Sequence, residues 1–116
     1  MKVFISQPMT GLTEEEILTT RNKNIEKIKK SFEDTEIIES YFSKDYREFL
    51  ESMYDDNRNW SIYYLGMALQ QLSYADLVWM CEGWENSTGC HIEQDCAEEY
   101  GIKVLYPPIK ENEDGE

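Results

Sequence analysis

Residues 76–93 read DLVWMCEGWENSTGCHIE, and this stretch decides the fold. It opens with a short, mostly apolar run at 76–81, which predicts a strand covered on both faces. Gly83 and the polar residues after it end that strand, and Ser87 or Thr88 can cap a following helix. A buried strand, a short polar loop and a helix are typical of α/β proteins, which place their functional residues at such junctions.

Glu93 is the most informative carboxylate of this stretch. We predict a helix over 88–100 that turns inward a stripe spaced three or four residues apart: Gly89, Ile92, Cys96, Ala97 and Tyr100. Glu93 falls on or beside this stripe, near the helix N-terminus, which holds a carboxylate ionised and attracts an anionic ligand. An ionised Glu93 can attack an anomeric carbon or stabilise the positive charge that develops there. In the alternative interpretation, Glu93 supports the helix start and its side chain turns out to solvent.

The rest of the chain alternates strand and helix patterns. Its periodicity predicts strands at 2–6, 36–39, 76–81 and 102–106, and helices at 14–32, 44–54, 60–73 and 88–100. Thr13 and Glu16 match a capping box before the first helix. This order favours a parallel sheet of four or five strands with helices on both faces. The loops 6–13 and 83–87 then meet at the carboxyl edge of the sheet, where such sheets bind ligands.

Two segments carry aromatic residues whose role the pattern leaves open. In 41–59 the aromatic spacing favours packing against the core or a partner, and a mobile flap over the site is the other interpretation. In 60–73 the residues at helical spacing fit either the core or a dimer seam, because Tyr, Trp and Met are enriched at interfaces. They are Trp60, Tyr63, Tyr64 and Met67.

The composition is strongly acidic, with a formal net charge of −13. This balance argues against binding to polymeric nucleic acid, which requires a basic footprint. The apolar run Val3–Ile5 stops at Pro8 and no stretch approaches a membrane span, so we expect a cytoplasmic protein that does not bind membranes. We also expect one domain over 1–108 and a disordered acidic tail over 109–116.

Residue types that bind metals are sparse. The cysteines Cys81, Cys90 and Cys96 form no CxxC pair, which suggests free thiols in a reducing compartment. The single histidine, His91, lacks partners at ligand spacing. We therefore predict no metal site and no cofactor.

Three motifs together resemble a known family. They are FISQPMTG at 4–11, DLV at 76–78, and GWENSTGCHIE at 83–93 with Ala97. Over roughly residues 1–107 the chain resembles the DUF4406 family of small, often phage- or prophage-borne proteins. That family is similar to the nucleoside 2-deoxyribosyltransferases and the deoxynucleoside 5′-monophosphate N-glycosidases.

The resemblance implies a flavodoxin-like three-layer sandwich, a homodimer or higher homo-oligomer, and cleavage of the N-glycosidic bond of a 2′-deoxynucleoside or its monophosphate. By position, Glu93 would be the nucleophile that attacks C1′. Ser87 and Gly89 would hold the sugar or its 5′-phosphate. Trp84 would stack on the base or pack against the sheet edge, and Asp76 would support its strand rather than the chemistry. The nucleoside pocket would be lined by Ser6, Gln7, Pro8, Met9 and Gly11.

Two positions depart from those enzymes. The enzymes carry an acid that helps protonate the leaving base where this chain reads GMALQ at 66–70, and Asp55 or Asp56 could substitute from the preceding loop. Asp95 stands where the enzymes keep Gly, and its charge would weaken phosphate binding and raise the pKa of Glu93. The competing functions are a non-catalytic nucleotide-binding protein and a homo-oligomeric interaction protein.

Overall fold

The sheet sets the position of every other element. A computed structural model describes residues 1–54 and 56–106. In this part of the chain the sheet has four parallel strands, β1 (Lys2–Ser6), β2 (Glu36–Ile37), β3 (Leu77–Met80) and β4 (Lys103–Leu105), in the order β2-β1-β3-β4. The register places Ser6 opposite Met80. The loops that follow β1 and β3 therefore leave the sheet side by side at its carboxyl edge.

The helices begin at polar caps that the sequence provides locally. They are α1 (Glu14–Ser31), α2 (Lys44–Met53), α3 (Trp60–Leu72) and α4 (Thr88–Glu99). Each starts after a residue whose side chain accepts a hydrogen bond from the backbone three positions on, namely Thr13, Ser43, Asn59 and Ser87. The capping box predicted at Thr13 and Glu16 is confirmed. These caps fix where each helix starts relative to the sheet edge.

The core lies on both faces of the sheet because successive strand residues point to opposite sides. Phe4, Val78 and Met80 pack with residues of α3 and α4 on one face. Ile5 and Trp79 pack with residues of α1 on the other face. Helices on both sides of a parallel sheet confirm the predicted flavodoxin-like α/β sandwich.

The ends of several elements differ from the predicted ones. β2 is two residues long, shorter than predicted, and no fifth strand occurs among the described residues. A 3₁₀ turn at Trp84–Asn86 precedes α4 and was not predicted, because a single turn leaves no periodicity in the sequence. The tail at 109–116 lies outside the described residues. In residues 1–54 and 56–106, no helix combines the length and the apolar character that crossing a membrane requires.

The predicted inward face of α4 is wrong in part. Ala97 is buried as expected, but Ile92 is 39% exposed and Tyr100 is 82% exposed. Tyr100 caps the end of the helix, outside its regular part, and so does not continue the stripe. The stripe that faces the sheet instead contains Cys90 and Ala97, both buried, with the half-buried Glu93 between them. Glu93 therefore lies in the middle of the inward face of α4.

Candidate active site

A cavity of about 1030 Å³ lies at the carboxyl edge of the sheet. Its wall is formed by the loop after β1, by the N-terminal parts of α1, α2 and α4, and by a side of α3 that extends from Ser61 to Ala68. Its volume is at the upper end of the roughly 300–1,000 Å³ typical of ligand sites. Because each helix N-terminus carries partial positive charge, this cavity is suited to an anionic group although the chain is acidic overall.

Glu93 lies on the wall of this cavity and is held by one hydrogen bond. Ser6, fully buried at the end of β1, donates from its hydroxyl to Oε1 of Glu93 over 2.6 Å. Burial raises the pKa of Glu93 to about 7, and the hydrogen bond from Ser6 acts in the opposite direction. Glu93 therefore binds a proton more readily than a solvated glutamate does, and this effect of burial opposes the expected effect of the helix start. Desolvation, and not the exposed Asp95, is the cause of this shift.

The start of α4 forms the part of the wall beside Glu93. Ser87 caps the helix by accepting a hydrogen bond from the backbone N–H of Cys90 over 3.2 Å. Ser87, Thr88 and Gly89 all line the cavity. Burial raises the pKa of the Cys90 thiol. Cys90 is thus a packed neutral thiol and not an activated nucleophile.

A second carboxylate, Glu14, lines the cavity but is held in a different way. Its Oε2 accepts hydrogen bonds from the Tyr41 hydroxyl and from the backbone N–H of Lys44, the latter over 2.9 Å. These two bonds, the Tyr41 bond first, lower the pKa of Glu14. Glu14 therefore fastens the start of α2 to the start of α1, and its charge is already neutralised in part by donors.

Two cations of α2, Lys44 and Arg47, also line the cavity. Neither forms an ion pair in the described part of the chain, where the one ion pair joins Arg58 to Asp56. Sequence reasoning missed both cations and Glu14 as site residues. The cap at Ser43 predicts the start of α2, but no local pattern gives the distance of that helix from the sheet.

Gln7 contributes a buried amide to the wall. It is 6% exposed, and its Nε2 donates to the backbone carbonyl of Ile17 over 2.6 Å. Its Oε1 is buried and has no hydrogen-bond partner among the described residues. A buried acceptor without a donor is rare in folded proteins and costs stability.

The structure brings most of the predicted site residues together. Gln7, Met9, Gly11, Ser87, Gly89 and Glu93 all line the cavity. Ser6 lies behind them and reaches the cavity through its bond to Glu93. Pro8 lies beside Gly83, its Cγ being 3.7 Å from the position that a Cβ would take there, and it is not part of the cavity wall.

Trp84 lies apart from the cavity. Its ring centroid is 5.1 Å from that of His91 and 5.3 Å from that of Tyr106, and the side chain packs against the core on the α3 and α4 face. Of the two interpretations of Trp84, this position corresponds to packing at the sheet edge. Asp76 lies at the other end of β3, where it accepts a hydrogen bond from the backbone N–H of Lys2 over 2.8 Å.

Ala68 of the GMALQ segment at 66–70 lines the cavity with an apolar side chain. Asp56 is exposed, pairs with Arg58 over 2.6 Å and does not line the cavity, and Asp55 lies outside the described residues. Across the described ranges, no cluster of three or more His, Cys, Asp or Glu residues could hold a metal ion.

These features define an α/β protein with a cavity at the carboxyl edge of a parallel sheet and a desolvated glutamate in its wall. The chain belongs to the DUF4406 family, described as a domain of unknown function, whose sequence model matches residues 1–106. No curated protein and no solved structure matches the chain. The resemblance to DUF4406 is therefore confirmed, and the relation to nucleoside deoxyribosyltransferases stays a prediction.

Proposed function

We propose that the protein binds a 2′-deoxynucleoside or its monophosphate in this cavity and cleaves or transfers its N-glycosidic bond through Glu93. The observation that carries the proposal is the placement of Glu93: a desolvated carboxylate on the cavity wall, beside a helix start and held by Ser6. Carboxylates in such positions act as nucleophiles at anomeric carbons. The three sequence motifs resemble the DUF4406 family, and the similarity of that family to glycosyl-transferring enzymes supports the same reaction.

In the proposed reaction the ionised Glu93 attacks C1′ and forms a glycosyl ester as the bond from C1′ to the base nitrogen breaks. The base leaves with the bonding electrons and takes a proton from water. A water molecule or a second base then attacks C1′, which releases the carboxylate and passes the sugar on. The hydroxyl of Ser6 keeps the carboxylate in place by donating to Oε1.

The charges of the cavity favour an anionic ligand over a neutral one. Lys44 and Arg47 line it without an ion pair among the described residues, although Arg47 Nε donates to the Phe42 carbonyl over 3.2 Å. The starts of α1, α2 and α4 add partial positive charge. A 5′-monophosphate would give these two cations an anionic partner inside the cavity, whereas a nucleoside would not. We therefore favour the nucleotide as substrate.

One observation favours a second candidate function, a nucleotide-binding protein without turnover. The similar enzymes use an acid to protonate the leaving base, and Ala68 occupies that part of the wall here. The other carboxylate of the wall, Glu14, is held by Tyr41 and Lys44. Such a protein would use the same cavity and the same cations without chemistry at Glu93.

The test is to incubate the purified protein with 2′-deoxynucleosides and their 5′-monophosphates and to measure released base by chromatography. We expect release from a monophosphate, and a loss of about 10³-fold or more in Glu93→Gln, because the amide cannot act as a nucleophile. Glu99→Gln on the exposed side of α4 is the matched control and should retain the activity. No release, together with a thermal shift by a nucleotide, would favour the binding protein.

We further infer that the protein forms a homo-oligomer through α2. This helix exposes three large apolar side chains outside the core and outside the cavity wall: Tyr46, Phe49 and Met53. Aromatic residues and Met are enriched at interfaces. Light scattering after size-exclusion chromatography should give a mass above that of one chain, and Phe49→Asp should reduce it. A wild-type protein of single-chain mass at high concentration would contradict this inference.

The free thiols support the expected cytoplasmic location. Cys81, Cys90 and Cys96 form no disulfide, as is usual for proteins of a reducing compartment.

A further inference from the structure

Glu14 is the carboxylate of the cavity wall that the proposed chemistry does not use. It is half-buried and lines the cavity together with Lys44 and Arg47. Its Oε2 accepts hydrogen bonds from the Tyr41 hydroxyl and from the backbone N–H of Lys44. Because a carboxylate repels an anionic ligand, its place in this wall limits the negative charge that the cavity can accept.

Glu14 carries its charge close to both cations of the wall. The hydrogen bond from Tyr41 and that from the Lys44 backbone lower the pKa of Glu14, and the charges of Arg47 and Lys44 act in the same direction. A lowered pKa keeps the carboxylate ionised at neutral pH. A phosphate group that binds to these two cations therefore lies beside an ionised carboxylate.

The two cations are separate from the proposed nucleophile. Burial and the hydrogen bond from Ser6 account for the pKa shift of Glu93, and the charges of Lys44 and Arg47 do not contribute to it. The same two charges act on the pKa of Glu14. A nucleotide with C1′ at Glu93 and its phosphate at these cations therefore extends its phosphate end toward Glu14.

We propose that the charge of Glu14 makes the protein select nucleoside monophosphates over the di- and triphosphates of the same nucleosides. Lys44 and Arg47 can pair with one phosphate monoester, which carries roughly two negative charges at neutral pH. Each further phosphate group adds negative charge beside Glu14, and the described part of the cavity wall offers no third cation. A repulsive group of this kind discriminates against the longer ligand. This inference rests on the proposed binding of nucleotides.

Glu14→Gln tests this role because the amide removes the charge, while its oxygen can still accept both hydrogen bonds. Calorimetry measures the dissociation constants of dAMP, dADP and dATP, and of the three deoxycytidine phosphates. The protein also carries Glu93→Gln, so that no ligand is cleaved. The buffer contains no divalent cations, because a magnesium ion would neutralise part of the phosphate chain.

With Glu14 present, we expect at least one monophosphate to bind roughly 10-fold or more tightly than its triphosphate, since like charges in one site are strongly unfavourable. In Glu14→Gln the affinity for the triphosphate should rise more than that for the monophosphate, and the preference should largely disappear. If Glu14→Gln does not fold, Glu14→Ser removes the same charge at the first position of α1.

Glu15→Gln provides a matched control. Glu15 is the next residue of α1, is exposed and does not line the cavity. Its substitution changes the net charge of the chain by the same amount as Glu14→Gln. We expect it to leave the preference for the monophosphate unchanged.

The outcomes separate this inference from the proposed function. If the protein binds none of these nucleotides, both are overturned. If it binds the mono- and triphosphates equally well, or if Glu14→Gln retains the preference, the role of Glu14 is overturned and the proposed function stands. Loss of the preference in Glu15→Gln as well would show an effect of net charge, and would also overturn the role of Glu14.

Discussion

The polar groups at the two edges of the sheet differ in burial and in hydrogen bonding. At the amino edge, the backbone N–H of Lys2 donates to Asp76 Oδ2 over 2.8 Å, and the backbone N–H of Asp76 donates to the Lys2 carbonyl over 2.8 Å. The N-terminal ammonium of Met1 donates to the Asp34 carbonyl over 2.9 Å. These groups are exposed and paired, and they join the starts of the strands.

At the carboxyl edge, polar groups are buried with fewer partners. The carboxylate of Glu93 is desolvated and accepts from the hydroxyl of Ser6, and Gln7 Oε1 has no donor among the described residues. Both arrangements lower the stability of the free protein, since burial of an incompletely paired polar group is unfavourable. The amino edge therefore contributes to folding stability, whereas the incompletely paired groups lie at the carboxyl edge, where the proposed binding site is.

The largest expected effect on stability comes from Glu93→Gln. Because the pKa is raised in the folded state, from 4.5 to about 7, the folded protein binds the proton more tightly than the unfolded chain. The stabilisation is complete below pH 4.5 and is lost as the pH rises to about 7. Gln does not titrate, so from pH 4.5 to 8 the stability of the variant should rise by about 2–3 kcal/mol relative to that of the wild type.

Urea denaturation at several pH values measures this difference. Glu99→Gln removes a charge from the exposed side of the same helix and reports the effect of surface charge alone. If the free energies of unfolding of Glu93→Gln and the wild type differed by the same amount at every pH in this range, Glu93 would be solvated like the groups of the amino edge.

Much of this arrangement could be predicted because it is encoded locally. The apolar run Val3–Ile5, the capping box at Thr13 and the Gly83 break each determine a nearby element through backbone conformation or periodicity. The parallel topology then brings the loops after β1 and β3 to one edge. The positions of Glu93 and Gln7 in one cavity follow from these local patterns.

The rest depends on distances between elements that are remote in sequence. Lys44 and Arg47 line the cavity only because α2 lies against the start of α1, where Glu14 holds it. The cause of the raised pKa of Glu93 lies in the same packing, since burial between β1 and α4 raises it, whereas the sequence pointed to the charge of Asp95. A helix start predicts the sign of the local field, but not how much solvent reaches the carboxylate.

Asp76→Ala tests the amino edge. It removes the acceptor for the Lys2 N–H, and we expect a loss of about 1 kcal/mol in the free energy of unfolding, a typical value for one hydrogen bond at an exposed position. Release of base should be unchanged, because Asp76 lies at the opposite end of β3 from the cavity. A variant that folds but has lost turnover would show that the two edges are not separate in function.

The smallest expected effect, and the finest test of the carboxyl edge, comes from Ser6→Ala. The hydroxyl of Ser6 donates to Glu93 and lowers its pKa, in opposition to burial. Without this donor the ionised form is less favourable, so the rising limb of the pH–rate profile should move to higher pH by less than about one unit. Ser87→Ala is the control, since Ser87 caps α4 through the Cys90 N–H and does not contribute to the pKa shift of Glu93. Ser87→Ala should lower the free energy of unfolding and leave the midpoint of the rising limb unchanged. If the midpoint of the rising limb stayed unchanged in Ser6→Ala, water would have replaced the hydroxyl. The carboxylate of Glu93 would then be less isolated from solvent than its position between Cys90 and Ala97 implies.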